Sequence, residues 1–316
     1  MKKKIAITLG DPSSIGPEIV LKSFLNNKFD PDKFILIGNR ASVLANGISF
    51  PKGIEFVEIM PEVHNFETGK ITKVSGEVSF RSLELACDMA NKSEISAIVT
   101  APVSKESINL AGHHFSGQTE ILEHFLSRNG EKAEMLFVSK DFRVLLLTRH
   151  VPVSKVPSLI TFDFVVSKIN ELSSQLKKHF RINNPNIALC ALNPHAGEGG
   201  LIGDEEINVL IPAVEKLQSD GINISGPYPA DMLFSKAAKA FKEGTQPYDC
   251  YVSCFHDQGL CAVKTIDVGN TVNTTIGLSV IRTSPAHGTA FDIAGKGIAD
   301  CSSMTAAIKL AIELAC

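Results

Sequence analysis

The chain has 316 residues, 44% hydrophobic and 21% charged, with a formal net charge of −3. That length accommodates two domains or one large one, and the composition is ordinary for a soluble globular protein. With no tryptophan, no basic run interleaved with aromatics and a slightly negative charge, neither nucleic acid nor an anionic membrane is an expected partner.

In chain order, Met1–Lys4 imitates the charged start of a signal peptide. The apolar stretch ends at Gly10-Asp11-Pro12, too short for a signal core and without a small-residue cleavage site, so Lys4–Leu9 reads as a first strand. No stretch is long and apolar enough to span a bilayer, and a cytoplasmic location is expected. Pro17–Leu25 reads as a helix, Phe34–Ile37 as a strand, Glu77–Asn91 as a helix, Ile95–Val99 as a strand and Thr119–Arg128 as a helix. Met135–Val138 and Arg143–Leu147 form a strand pair across the polar turn Ser139-Lys140-Asp141. In Phe162–Phe180 the apolar residues Phe162, Val165, Val166, Ile169, Leu172, Leu176 and Phe180 fall mostly three and four apart, the clearest helical spacing in the chain. Strand Asn186–Ala191, helices Glu205–Leu217 and Met232–Phe241, strand Asp249–Ser253 and a last helix Ser303–Leu314 complete the series. Such β/α alternation predicts an α/β protein with a mainly parallel sheet. The boundaries are placed to give one α/β domain from 1–125 plus 265–316 and a central one over 126–264.

Three histidines stand just past strand-like runs: His150 after Arg143–Leu147, His195 after Asn186–Ala191 and His256 after Asp249–Ser253. Ligands gather beyond the carboxyl ends of strands in open α/β sheets, and three imidazoles there can hold one divalent metal with positions left open for substrate. The metal is left open among zinc, cobalt, magnesium and manganese, and imidazole donors lean toward zinc or cobalt over magnesium. The seven cysteines are odd in number and mostly in apolar contexts, which favours reduced thiols. A zinc site from Cys250, Cys254, His256 and Cys261 is rejected: there is no Cys-x-x-Cys, and Cys250 and Cys254 flank a strand that reads as buried.

The segment after the first strand, Gly10-Asp11-Pro12-Ser13-Ser14-Ile15-Gly16, is not a Gly-x-Gly-x-x-Gly dinucleotide fingerprint, and no phosphate-binding P-loop occurs. The run His287-Gly288-Thr289-Ala290-Phe291-Asp292-Ile293-Ala294-Gly295-Lys296-Gly297 resembles instead the adenosine-wrapping loop of isopropylmalate and isocitrate dehydrogenases. The resemblance implies cofactor contacts from His287, Gly288, Thr289, Ala290, Asp292 and Gly295. Asp292 suits a free ribose 2′-hydroxyl, so NAD is favoured over NADP, and Gly288, Gly295 and Gly297 allow backbone to approach the cofactor. Lys264, Asn273 and Arg282 combine a point charge, an amide and a forked donor, as a phosphorylated substrate requires. Arg282 follows the apolar run Ile276–Ile281 and is expected at a strand end. Gly117-Gln118-Thr119-Glu120 opens a helix, with Thr119 as its cap or as part of an anion site. Asp231 opens another, as an N-cap or as a contact to the site.

Taken together, the blocks Gly10-Asp11-Pro12 with Ile15–Glu18, His150-Val151-Pro152, Leu192–Glu198, His256–Leu260, Val272–Leu278, Ile281–Ser284 and His287–Gly295 resemble the 4-hydroxythreonine-4-phosphate dehydrogenase family over the full length. The resemblance implies an isopropylmalate dehydrogenase-like fold, two α/β/α domains with the active-site cleft between them. It implies a homodimer with a site shared across the interface, the metal being held by His150 and His195 of one subunit and His256 of the other. It implies substrate contacts from Gln118, Thr119, Lys264, Asn273 and Arg282, and oxidation of 4-phosphooxy-L-threonine by NAD or NADP followed by loss of CO2. Asp257 and Asp231 would orient ligands or relay protons, and Lys264 would anchor phosphate or assist proton transfer. Gln118 stands where the family usually has His, Met232 replaces a usual Thr, Pro285-Ala286 replace a commonly acidic position and Cys261-Ala262 a Pro-containing stretch. These departures keep open a sister activity on D-threonate or D-erythronate 4-phosphate. An acyl-phosphate transferase of similar architecture and a non-catalytic metal- or nucleotide-binding scaffold are the further alternatives.

Overall fold

The computed structural model describes residues 3–45, 47, 49–128 and 130–315. Met1, Lys2 and Cys316, which entered the reading of the N-terminus and of the cysteines, lie outside the described residues. The strands are β1 (Lys4–Thr8), β2 (Phe34–Gly38), β3 (Glu55–Glu58), β4 (Ile95–Thr100), β5 (Glu134–Ser139), β6 (Phe142–Leu146), β7 (Ile187–Cys190), β8 (Ile224–Tyr228), β9 (Cys250–Ser253), β10 (Val272–Ile276) and β11 (Ile281–Pro285). None of the helices is long and apolar enough to cross a membrane, among the described residues.

The chain divides into two compact units, Met1–Ala133 with Val272–Cys316, and Glu134–Thr271. In the first, the strand order is β3-β2-β1-β4-β11-β10, parallel except for the β10–β11 hairpin. Buried apolar residues fill β1, β2 and β4, as strands covered on both faces require. Helices Lys73–Asn91 and Ser302–Ala315 pack on this sheet. The first begins a turn before the expected Glu77, because its cap is Thr72, whose side chain accepts from Ser75 N.

In the second unit the order is β5-β6-β9-β7-β8, with β5–β6 antiparallel and the remaining pairs parallel. Helix Phe162–Phe180 matches its apolar spacing, with Val165, Ile169, Leu172 and Leu176 buried, and it ends at Arg181 in the left-handed region. The segment expected as one helix over Glu205–Leu217 starts instead with a wide π turn, Glu206–Leu210, before the α-helix Ile211–Ser219. Pro212 has no N–H to bond four residues back, and Ile211 N bonds five residues back to Glu206 O.

The expectation that Ile276–Ile281 is a strand ending at Arg282 is corrected. β10 ends at Ile276, Gly277 turns with φ +84°, and Arg282 is the second residue of β11. The run is apolar because the hairpin turn itself is buried: Leu278 and Val280 pack with Val78 and Leu122.

Candidate active site

β6, β9 and β7 are consecutive parallel neighbours, and each leads to one of the three histidines, His150, His256 and His195 respectively. Adjacent strands lie about 4.8 Å apart, so the three residues are delivered to one edge of one sheet. The strand ends are tied at Cys254. Thr148 Oγ1 donates to Cys254 O (2.7 Å), Cys254 N donates to Gln258 Oε1 (2.7 Å) and Gln258 Nε2 donates to Ala191 O (2.8 Å). Cys254 Sγ donates to Cys190 O at 3.4 Å. Burial pushes the Cys254 and Cys190 thiols well up and the Cys250 thiol to about 12, so all three stay protonated and pack as small apolar groups.

The His150 and His256 ring centroids are 5.6 Å apart. Two imidazoles sharing one tetrahedral ion through nitrogens about 2 Å from it would have centroids about 5 Å apart, so this pair fits a common cation. His256 Nδ1 is 2.7 Å from Asp257 Oδ1, which leaves Nε2 as the nitrogen that could bind a ligand. Among the described residues, no three His, Cys, Asp or Glu side chains converge on one point. Within one chain, then, the pair brought together is His150 with His256, whereas the expected division set His150 and His195 against a partner's His256.

His195 sits on an unusual turn. His195, Ala196, Gly197, Glu198 and Gly199 all have positive φ, from +46° to +76°. Each non-glycine residue held there costs about 1–2 kcal/mol. The turn is held by Glu206, 1% exposed, whose Oε1 accepts from Leu192 N and Asn193 N, both at 2.8 Å, and whose Oε2 accepts from Asn193 Nδ2 at 2.9 Å. Asn193 Nδ2 also donates to Glu205 Oε2 at 2.7 Å. Sequence reasoning missed Glu206 and Asn193; the glycine density at 197, 199, 200 and 203 was the available signal.

In the first unit, strand register puts Asn273, Thr275, Arg282 and Ser284 on one face of the β10–β11 hairpin. Arg282 is 3% exposed. Its Nε and Nη2 donate to Thr100 Oγ1 at 2.8 and 2.6 Å, its Nη1 to Thr275 Oγ1 at 3.4 Å and its Nη2 to Gln118 Oε1 at 2.8 Å. Burial pushes the guanidinium down to about 9, against the Glu120 carboxylate, so it remains a cation at neutral pH. Every one of those hydrogen-bond partners is neutral. A buried cation so placed favours an anionic ligand. Asn273 Oδ1 is buried with no hydrogen-bond partner among the described residues. Gln118 Nε2 donates to Ala101 O (3.2 Å), so this amide orients Arg282 as well as facing the helix start. Thr119 is not the cap: Gly117 holds that position without a side-chain bond, and Thr119 is buried in the first turn. The helix still begins with amides that no capping side chain satisfies.

The loop from His287 runs as turns at the surface of the same unit, with His287, Gly288, Asp292 and Gly295 exposed and Thr289 and Ala290 half-buried. It is braced by the segment after β1: Ile15 N donates to Thr289 O at 3.2 Å. Lys22 Nζ, paired with Glu18 at 2.7 Å, donates to Gly297 O and Ala299 O. At Gly288 and Gly297 a Cβ would meet nothing within 4 Å, so the backbone is open to a ligand there. Gly295 is required by the chain itself, with φ +72° and a Cβ position 2.7 Å from Thr68 Cγ2. These open backbones beside an exposed Asp292 fit a nicotinamide dinucleotide.

Lys264 and Asp257 are exposed on helix His256–Asp267, seven residues apart and hence on one face. Asp231 is exposed in the first turn of helix Ala230–Glu243, where Pro229, not Asp231, takes the cap position. Two cavities, of about 820 and 520 Å³, lie beside Phe80 and His113 and beside Tyr228 and Tyr248, and contain none of the site residues named above.

Residues 10–311 match the family described as pyridoxal phosphate biosynthetic protein PdxA. The chain is 39% identical to a 4-hydroxythreonine-4-phosphate dehydrogenase from Zymomonas mobilis, over 99% of this chain and 96% of that protein. It is 38% identical to a protein provisionally named a D-threonate 4-phosphate dehydrogenase from Oceanobacillus iheyensis, over 100% and 99%. The crystal structure of 4-hydroxythreonine-4-phosphate dehydrogenase from Klebsiella pneumoniae superimposes with a TM-score of 0.85 at 32% identity, covering 100% of this chain and 98% of that one.

Proposed function

The chain belongs to the pyridoxal phosphate biosynthetic protein PdxA family, and from that premise we propose that it is a metal-dependent, NAD(P)-linked 4-hydroxythreonine-4-phosphate dehydrogenase. The substrate is 4-phosphooxy-L-threonine. Its 3-hydroxyl is oxidised to a ketone, and the resulting 2-amino-3-oxo-4-phosphooxybutanoate loses CO2 to give 3-amino-2-oxopropyl phosphate. The observation that carries this reading is the His150–His256 pair, 5.6 Å apart at the ends of neighbouring strands.

A divalent cation held by His150, His195 and His256, with zinc or cobalt favoured, supplies Lewis acidity, and NAD supplies the hydride acceptor. Asp257 fixes the His256 tautomer through Nδ1. Arg282, aimed by Thr100 and Gln118, binds the substrate phosphate, with Thr119 and the first-turn amides of its helix as further donors. Asn273 Oδ1 accepts from a substrate N–H or O–H. Lys264 contacts the substrate and, with Asp231, moves the protons released on oxidation and taken up after decarboxylation. His287, Gly288, Thr289, Ala290, Asp292 and Gly295 hold the dinucleotide, and the Asp292 carboxylate repels a 2′-phosphate, which favours NAD.

We place the enzyme in the cytoplasm as a homodimer that completes the site. The six described cysteines are free thiols, as a reducing compartment allows. Exposed Val151 and Val153 next to His150, and Leu201 and Ile202 near His195, form apolar surface that a second subunit would cover. The second substrate reading is D-threonate or D-erythronate 4-phosphate, favoured by the neutral Gln118 beside Arg282. Comparing kcat/KM for the amino acid and both sugar-acid phosphates at fixed metal and NAD decides. A preference for 4-phosphooxy-L-threonine supports the first reading, a preference for a sugar acid the second, and turnover of neither removes both.

A further inference from the structure

We propose that Glu206 is a positioning residue: it holds the left-handed turn 195–199 in the conformation that presents the His195 imidazole to the metal. The inference rests on the reading of His195 as a metal ligand. Six consecutive residues, His195 to Gly200, have positive φ, three of them not glycine, and form a turn that an L-amino-acid chain does not keep unaided. Three N–H donors converge on the Glu206 carboxylate from Leu192 and Asn193, the residues that lead into the turn. Glu206 belongs to none of the ion pairs among the described residues and is 1% exposed, so these donors are what its buried charge has in place of a cation. The fit is close on the other side as well, because a Cβ at Gly197 would stand 2.8 Å from Glu206 Oε2. The carboxylate therefore holds the entrance of the turn and lies close against its middle, and the π turn Glu206–Leu210 carries it. Ligand-bearing loops elsewhere depend in the same way on residues behind the ligand, whose loss typically lowers metal affinity 10–100-fold.

The test uses the full-length protein and four forms: native, Glu206→Ala, Glu206→Gln and His195→Ala. Calorimetric titration with Co2+ alone, well below each melting temperature, gives the affinity, and the visible Co2+ spectrum gives the ligand geometry. Hydrogen exchange at the Leu192 and Asn193 amides, without metal, reports the clamp itself. Glu206→Ala is expected to bind Co2+ about 10–100-fold more weakly with an altered spectrum and faster exchange at both amides. Glu206→Gln keeps the oxygen that serves those amides but faces Asn193 Nδ2 with a second donor, so its loss should be smaller. It also carries the test should the alanine variant fail to fold. Weakened binding in His195→Ala together with native binding in both folded Glu206 variants overturns the positioning role. Native binding in His195→Ala overturns the ligand reading, and the positioning role falls with it.

Discussion

Asp11→Asn should stabilise the protein, by an amount that depends on pH. Asp11 is fully buried after β1, where Oδ1 accepts from Ser13 N at 2.8 Å. Burial raises its pKa from about 3.8 to about 6, with the Ser13 N–H, the Ser107 and Ser75 hydroxyls and the Ser104 N–H opposing. Between those values the folded chain holds a proton that the unfolded chain has released, so stability falls as pH rises through this window. A shift of about two units corresponds to roughly 3 kcal/mol lost above pH 6 and nothing lost below pH 4. Asparagine keeps the oxygen for Ser13 N and carries no charge to desolvate. Thermal unfolding of both forms from pH 4 to pH 8 is the assay. At about 2–4 °C per kcal/mol for a unit of this size, the variant should melt roughly 6–12 °C higher at pH 8 and coincide with the native protein near pH 4. A pH-independent difference, or a less stable variant at pH 8, would refute the reasoning. The same segment braces the His287 loop through Ile15 N, which donates to Thr289 O at 3.2 Å.

Arg282→Met should lower kcat/KM about 100–1,000-fold, chiefly through KM, without lowering the melting temperature, because the free protein loses a desolvated charge; steady-state kinetics and a melt check both halves. Co-refolding His150→Ala with His256→Ala subunits tests the division of the metal ligands: recovered activity places the two in different subunits, as the family resemblance implies, and no recovery places the pair, 5.6 Å apart within one chain, in one site. Asp292→Asn should narrow the preference for NAD over NADP by about tenfold, read from the ratio of kcat/KM values, and an unchanged ratio would remove Asp292 from the ribose contact.

Much of the fold was legible because local periodicity carries it. Helix Phe162–Phe180 shows its buried stripe in its spacing, and β1, β2, β4 and β9 are apolar because both faces are covered. β3, β8, β10 and β11 were not legible. β3 is short and only half-buried, and β8 contains Gly226-Pro227. β10 and β11 bury Thr274, Thr275, Arg282, Thr283 and Ser284, and Arg282, Thr283 and Ser284 are satisfied by hydrogen bonds to residues distant in sequence that no local pattern encodes. The placement of each histidine after a strand was visible, but the order β6-β9-β7 that makes them neighbours depends on crossovers. Glu206 looked like one more acidic residue of a helix; only the folded turn turns it inward.

The most direct test of the account is a single turnover assay. Purified protein, stripped of metal and then supplied with zinc or cobalt, NAD and 4-phosphooxy-L-threonine, is followed by the absorbance of reduced nicotinamide and by released CO2. The account predicts no turnover without metal, and with it reduced nicotinamide and CO2 in equal amounts. Turnover that persists in the metal-free protein, or oxidation without CO2, would contradict it.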